Sequence, residues 1–385
     1  MPAAANPFVF GRVLTAEELV DRVDELATVR RNLLRDGRLF VVGPRRFGKT
    51  SLLTAAAEAV QREGTPVVLI NAERYTSLDA LAGAIVAAAG DLLTPNVRER
   101  FANVARWFSG LKPQVEYDPI TDGLKVSVTP RERAPAAQSL AEALDALNTL
   151  AGRREERLAI VIDEFQVVRE FGGLGAERQL RAAVQTHQHL SYVFAGSQTR
   201  LLLAMIAEHG RPFYRLGEVL YLGPIPRPAF EAFLREGFAE TAWTPAALAY
   251  VFEVCEDVPY NIQRLGAQLY DGLPADVTEI DVDAVEAALD ELERTLHATF
   301  LATYLTLTTT QRRVLSGMAT LPDLSGEVAA ASRHIGVAAS TYRTARERFL
   351  RADLLHERFE GKQQRRRFAF VDPFFRRWLR GFVRG

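Results

Sequence analysis

The stretch Leu39-Phe-Val-Val42-Gly43-Pro-Arg-Arg-Phe-Gly48-Lys49-Thr50 decides how this 385-residue chain is read. A four-residue apolar run enters a glycine loop, and residues 49–63 continue as a helix-forming segment that Gly64 can stop. Strand, loop and helix in that order, with the complete G-x-x-x-x-G-K-[ST] spacing, make a phosphate cradle. The glycines let successive backbone N–H groups converge on an anion, and the helix N-terminus adds positive potential. Gly43, Pro44, Arg45, Arg46, Phe47, Gly48, Lys49, Thr50 and Ser51 are therefore the expected nucleotide-binding residues. Lys49 is expected to reach the β and γ phosphates, and the Thr50 hydroxyl to ligate Mg²⁺. The chain has four lysines, with Arg supplying the rest of its basic charge, so a lysine placed in this loop stands out.

A metal-bound triphosphate needs a carboxylate at the end of a neighbouring strand. Leu158-Ala-Ile-Val-Ile-Asp163-Glu164 supplies one, with Asp163 expected to hold Mg²⁺. Glu164 is then placed to polarise a water in line with the γ phosphate, the alternative being an ordinary exposed strand-end glutamate. Ser197 and Gln198 close the run Tyr192-Val-Phe-Ala-Gly-Ser197-Gln198, where a hydroxyl or amide could touch the γ phosphate or merely cap a helix. Arg215, in Arg211-Pro-Phe-Tyr-Arg215, is either a solvated surface arginine or a cation for the charge that develops on the phosphoryl group. Together these residues predict a Mg²⁺-dependent ATPase with ATP and Mg²⁺ as its small molecules.

Short, wholly apolar runs at 67–70, 158–162, 192–195 and 219–222, separated mostly by helix-compatible segments, suit strands of a parallel sheet covered on both faces. Residues 1–225 therefore read as an α/β sandwich of βα units. Ahead of it, Thr15-Ala-Glu-Glu18 reads as a capping box opening a helix, with Leu19, Val23, Leu26, Val29 and Leu33 at helical spacing and Gly37 to end it. Residues 112–130 alternate around Pro119-Ile-Thr-Asp-Gly123 and predict an inserted β-hairpin. Residues 226–303 read as helical.

The segment 304–385 predicts three helices, opened by Thr308-Thr-Thr-Gln311 and then spanning 325–333 and 340–352. Strands at 354–357 and 366–371 would pair around Gly361-Lys-Gln-Gln364, completing a winged-helix pattern. Ser340, Thr341, Tyr342, Arg343, Arg346 and Arg348 would decorate its third helix and Arg365, Arg366 and Arg367 its wing. Leu350, Leu354, Leu355, Phe368, Phe370, Phe374, Phe375, Trp378 and Leu379 would be mostly core.

Composition sets the outer bounds. With 48% hydrophobic and 25% charged residues the chain is globular, and one cysteine, Cys255, excludes an internal disulfide or a thiolate metal cluster. No basic-then-apolar leader opens the sequence, and the longest apolar run is far short of about 20 residues, so a soluble, unexported, cytoplasmic protein is expected. Residues 331–385 hold 14 Arg or Lys against 5 Asp or Glu, although the whole chain sums to -1. Such a tail meets either duplex DNA, a protein partner, or the chain's own acidic body.

Taken in order, these motifs resemble the archaeal-type P-loop ATPases of the AAA+/STAND class. The resemblance spans most of the chain. It is carried by Asn6-Pro-Phe, Val20-Asp-Arg22-Val-Asp-Glu25-Leu, the phosphate loop, Asp163-Glu164-Phe-Gln166, Ala-Gly-Ser197 and Pro212-Phe-Tyr-Arg215, and then by Val258-Pro259-Tyr260-Asn-Ile-Gln263 and Asp372-Pro373-Phe-Phe-Arg-Arg-Trp378. It implies a five-stranded nucleotide-binding core, a helical lid over 226–303, a C-terminal winged helix over 304–385, and adenine near the N-terminal segment and lid. Where members commonly have a glycine ahead of the lid proline this chain has Asp257, and its tyrosine–arginine segment lacks the usual intervening glycine. The implied function is a switch in which ATP hydrolysis moves the winged helix. The alternative is a nucleotide-binding module with little turnover, whose winged helix is autoinhibitory or contacts a protein. An oligomer in which Arg215 acts across an interface stays open beside action within one subunit.

Overall fold

The computed structural model describes residues 6–93, 111–118, 123–130, 136–238, 241–274, 276–360 and 365–382. Its contacts divide the chain into two compact units, one of Leu14–Gly43 with Lys49–Leu222, the other of Met1–Val13, Pro44–Gly48 and Gly223–Gly385.

The first unit contains, in chain order, α1 (Val23–Leu33), β1 (Arg38–Val42), α2 (Lys49–Arg62), β2 (Val67–Asn71), α3 (Leu78–Leu93), β3 (Leu111–Asp118), β4 (Gly123–Pro130) and α4 (Ala136–Arg154). Then follow β5 (Leu158–Asp163), α5 (Val167–Thr186), β6 (Leu190–Gly196), α6 (Thr199–Ala207) and β7 (Glu218–Tyr221). Five strands form one parallel sheet in the order β2-β5-β6-β1-β7, which sets β6 between the strand feeding the glycine loop and the strand ending in the acidic pair. Register aligns their carboxyl ends, Val42 opposite Gly196 and Ile162 opposite Phe194, so Gly43, Asp163 and Ser197 emerge on one edge. That edge is where open parallel α/β sheets place ligands.

The central strands β1, β5 and β6 read as continuous apolar runs because both of their faces are covered, whereas the edge strand β7, expected to be covered on both faces, leaves Val219 and Tyr221 exposed. One face sets Phe40, Val42, Ile160, Ile162, Tyr192 and Phe194 against α3, α4, α5 and α6. The other sets Leu39, Val41, Ala159, Val161, Val193 and Ala195 against α1 and α2. Residues 111–118 and 123–130 pair antiparallel with Val115 opposite Val126, as the alternation predicts, and the turn residues 119–122 lie outside the described residues.

The reading of the first helix needs correction. Thr15 and Glu18 do form a capping box, but it closes a single 3-10 turn over Ala16–Glu18, and α1 begins at Val23. Asp21 adopts φ 41°, a left-handed turn that breaks helical continuity, and Val23 is solvent-exposed, not part of the apolar face. The helix also stops at Leu33, short of Gly37.

The second unit holds α7 (Arg227–Gly237), β8 (Ala242–Trp243), α8 (Pro245–Cys255), α9 (Pro259–Gly272), β9 (Glu279–Ile280) and α10 (Val282–Leu305). After these come α11 (Thr309–Thr320), α12 (Val328–Ile335), α13 (Ala339–Arg351), β10 (Leu355–Glu360), β11 (Arg365–Phe370) and α14 (Pro373–Phe382). Two-residue strands β8 and β9 pair in parallel, a feature the helical reading of this region did not contain. Three helices followed by the antiparallel β10–β11 pair reproduce the expected order, and Thr308 with Gln311 forms the capping box that opens α11. The middle helix begins at Val328, not at residue 325. Ser325 belongs to the preceding turn, where its N–H donates to Asp323 and its hydroxyl accepts the Phe368 N–H at 2.8 Å. Residues 361–364 and the side chains of Arg365 and Arg366 lie outside the described residues.

Basic charge on the C-terminal segment is partly spent inside this unit. Arg376 pairs with Glu256, and Arg377 with Glu286, Asp290 and Glu293 of α10. Burial opposes the Arg377 charge, yet its bond to Glu286 and the surrounding carboxylates hold its pKa above the ordinary arginine value. Tyr342 is fully buried and cannot face a groove, a second correction, and the Arg346 guanidinium lies 4.3 Å from the Phe368 ring. Arg343, Arg348 and Arg351 stay exposed on α13 with Ser340 and Thr344.

Candidate active site

β1 delivers the chain to Gly43, where a side chain has no room: a Cβ would sit 2.5 Å from the Leu222 carbonyl oxygen. The Leu222 N–H donates to the Val42 carbonyl at 2.8 Å, which fixes that close approach. Arg46 (φ 69°) and Gly48 (φ 85°) are both left-handed, the curl that turns backbone N–H groups inward around an anion. The side chains of the loop apex point elsewhere. Arg45 pairs with Asp353 at 2.9 Å and Arg46 with Asp372 at 2.7 Å, and the Arg46 guanidinium also lies 5.0 Å from the Tyr260 ring. The ring of Phe47 is 6.5 Å from that of His356.

α2 starts at Lys49, so Lys49, Thr50 and Ser51 occupy its first turn. Buried Lys49 donates from Nζ to the Gly43 carbonyl at 2.8 Å, and Thr50 Oγ1 donates to Asp163 Oδ2 at 2.7 Å. Ser51, named with the nucleotide-binding residues, has its hydroxyl accept the Leu14 N–H at 3.0 Å.

The acidic pair is buried. Asp163 ends β5, and Glu164 next to it takes φ 53°, an uncommon conformation for a side-chain-bearing residue. Burial, and then the charge of Glu164, raise the Asp163 pKa against the pull of Thr50 and Lys49. For Glu164 the balance reverses: burial would raise its pKa, but the Lys49 charge and the hydrogen bonds from Gln166 and Ser197 outweigh it and leave the pKa lowered. Glu164 Oε2 accepts three hydrogen bonds, from Gln166 Nε2 at 2.7 Å, Ser197 N–H at 3.0 Å and Ser197 Oγ at 2.8 Å. Thr50 Oγ1 and Asp163 Oδ2, two hard oxygens in contact, are the donor chemistry a Mg²⁺ ion requires.

The structure thus brings together Lys49, Thr50, Asp163, Glu164 and Ser197. It does not bring Gln198 or Arg215 to them. Gln198 is exposed ahead of α6, and Arg215 is exposed with its guanidinium 5.1 Å from the neighbouring Tyr214 ring. Among the described residues no ion pair or hydrogen bond joins either to the acidic pair. Gln166, which the sequence reading used only as a marker of resemblance, takes a place in the cluster. Its signal was a polar residue at the head of an apolar run, Gln166-Val167-Val168, two positions after Glu164.

No helix among the described residues is long and apolar enough to cross a membrane. Residues 16–206 match the family model described as the AAA ATPase domain. Among solved structures, the Walker-type ATPase paby2304 of Pyrococcus abyssi matches at 17% identity and TM-score 0.61, over 97% of this chain and 99% of that one. The Aeropyrum pernix ORC2 protein in its ADPNP–ADP complexes matches at 15% identity and TM-score 0.54, over 99% and 98%. No curated protein matches the chain at a significant level. With the AAA ATPase domain match lying over residues 16–206, the chain has the fold of an archaeal-type AAA+ P-loop ATPase.

Proposed function

We propose that the chain is a Mg²⁺-dependent ATPase whose nucleotide state is coupled to a basic C-terminal winged helix. The observation that carries this reading is the buried cluster at the sheet edge. Lys49 is positioned for the β and γ phosphates, Thr50 and Asp163 for Mg²⁺, and Glu164 for the attacking water. Thr50 and Asp163 would hold the metal, which would supply neutralisation of the charge developing on the phosphoryl group. Lowering of the Glu164 pKa keeps that carboxylate ionised and ready to accept a proton at neutral pH. Ser197, bonded to Glu164 through both its N–H and its hydroxyl, would report the γ phosphate to the base. Arg215, exposed beside Tyr214, stays a candidate cation for the charge developing on the phosphoryl group, in its own subunit or in a neighbour's.

Residues 226–303 would act as the lid and 304–385 as the winged helix. Coupling is supported by the loop apex, where Arg46 is tied to Asp372 and Arg45 to Asp353. Duplex DNA is the favoured partner because Ser340, Thr344, Arg348 and Arg351 recur along one exposed face of α13, with Arg343 beside them. The STAND affiliation and the cytoplasmic location belong to this same reading. A second reading, intramolecular docking of the basic tail, is favoured by the Arg376 and Arg377 pairs. The test is ATP turnover with and without duplex DNA. Stimulation by DNA that disappears when Arg343, Arg348 and Arg351 become Ala supports the DNA-coupled switch. Turnover indifferent to DNA moves the reading to a protein partner or autoinhibition.

A further inference from the structure

Gln166 sits two residues past Glu164, at the entrance to α5, and its side chain is fully buried. Its Nε2 donates to Glu164 Oε2 at 2.7 Å, an assignment the chemistry requires because an ionised carboxylate only accepts. Its Oε1 accepts no hydrogen bond among the described residues. A buried amide left half-satisfied costs about 1–3 kcal/mol, a poor arrangement for a residue whose role is to stabilise the fold. Room for it is built into the next strand: a Cβ on Gly196 would lie 2.3 Å from Gln166 Oε1. Its hydrogen bond goes to the carboxylate of Glu164, onto the same oxygen that Ser197 engages twice. Glu164 Oε2 is therefore clamped from two sides, and Glu164 Oε1 is left as the atom that can face a water.

We infer that Gln166 is a positioning residue for ATP hydrolysis, orienting the Glu164 carboxylate so that its Oε1 presents to the attacking water. The inference rests on the assignment of Glu164 as general base. Ser197 holds Oε2 from the end of β6 and Gln166 holds it from the Glu164 side, so a rotation that exchanged the two oxygens would break all three bonds. Gln166 acts through its hydrogen bond to Glu164, so its effect passes through that carboxylate.

The experiment compares wild type with Gln166→Leu and Gln166→Met, which keep much of the reach and remove the donor. Because Gln166 Oε1 is unpartnered, both variants are expected to fold, with melting temperatures near that of wild type. Misplacing a reacting group by about 1 Å costs on the order of 100-fold, so kcat should fall roughly 10- to 100-fold while KM for ATP and the equilibrium Kd for ATP stay within about twofold. In a Glu164→Gln background, adding Gln166→Leu should change neither residual turnover nor ATP affinity, since there is no base left to orient. Unchanged kcat in the single variants overturns the inference. So does a loss of kcat matched by an equal loss of ATP affinity, or failure of both variants to fold, either of which would make Gln166 structural. Glu164→Gln on its own separates the two levels. If it retains turnover, the base assignment fails; if it abolishes turnover while Gln166→Leu does not reduce it, only the positioning role fails.

Discussion

Lys49 and Glu164 lie close enough for the charge of one to lower the pKa of the other, yet their substitutions should separate cleanly. Lys49→Ala removes the cation that meets the phosphates and is expected to abolish measurable ATP binding by equilibrium titration. Gly43→Ala tests the loop's backbone: a Cβ 2.5 Å from a main-chain carbonyl cannot be relieved by a rotamer change. We expect a destabilisation of about 1–3 kcal/mol in thermal or denaturant unfolding, together with weakened ATP binding. At this scale the sequence was legible wherever a residue type has a fixed duty. Gly43, Lys49 and Thr50 were named from motif spacing, and Asp163 and Glu164 from an apolar strand ending in acid downstream of the loop, and the structure gathers them on one edge. Gln166 was not, because its one local signal, a polar residue heading a short apolar run, does not separate a buried amide donor from a surface glutamine before β6 is folded beside it. Gln198 and Arg215 were named as site residues for polar character at the end of, or just before, a strand, and strand position does not fix where a side chain turns.

The central strands β1, β5 and β6 were legible because burial on both faces leaves no polar alternation to confuse them, while the run at 219–222 gives an edge strand with Val219 and Tyr221 exposed. Capping was less informative. Thr15 and Glu18 make a genuine capping box, but it closes one 3-10 turn, and the left-handed Asp21 that separates it from α1 has no sequence signature. The junction of α5 and β6 carries a pH-sensitive contact. Buried His187 bonds Tyr192 Oη at 2.6 Å and Asp145 at 2.7 Å, and burial lowers its pKa below the ordinary 6.5 despite the support of Asp145. Between the lowered value and 6.5 the unfolded chain binds a proton that the folded chain refuses. Stability is therefore full above about 6.5 and falls as pH drops below it, by at most about 1.4 kcal/mol per pH unit. Melting temperature should decline on acidification from pH about 7.5 to about 5.5, and His187→Gln should make the decline shallower.

For the whole molecule, the loop apex Pro44–Gly48 clusters by its contacts with the C-terminal elements, a placement that sequence spacing could not foresee across 326 residues. Asp372 serves both sides of this link. Its Oδ2 meets Arg46, and its Oδ1 accepts the Phe374 N–H at the start of α14. Asp372→Asn keeps the cap and removes the charge, so it should leave α14 folded while reducing any change in ATP turnover on adding duplex DNA. An unaltered response would show that the link carries no coupling. If α13 lies on DNA, converting Arg343, Arg348 and Arg351 to Ala should weaken binding and flatten its salt dependence by about 0.9 in log–log slope for each phosphate no longer neutralised. Underneath these couplings stands the claim that this cluster hydrolyses ATP. The most direct test is Mg²⁺-dependent ATP turnover by wild type beside Glu164→Gln, with ATP affinity measured on both. Turnover lost by roughly 100-fold or more in the variant, with affinity retained, is the predicted result. Equal turnover by the two proteins would contradict it.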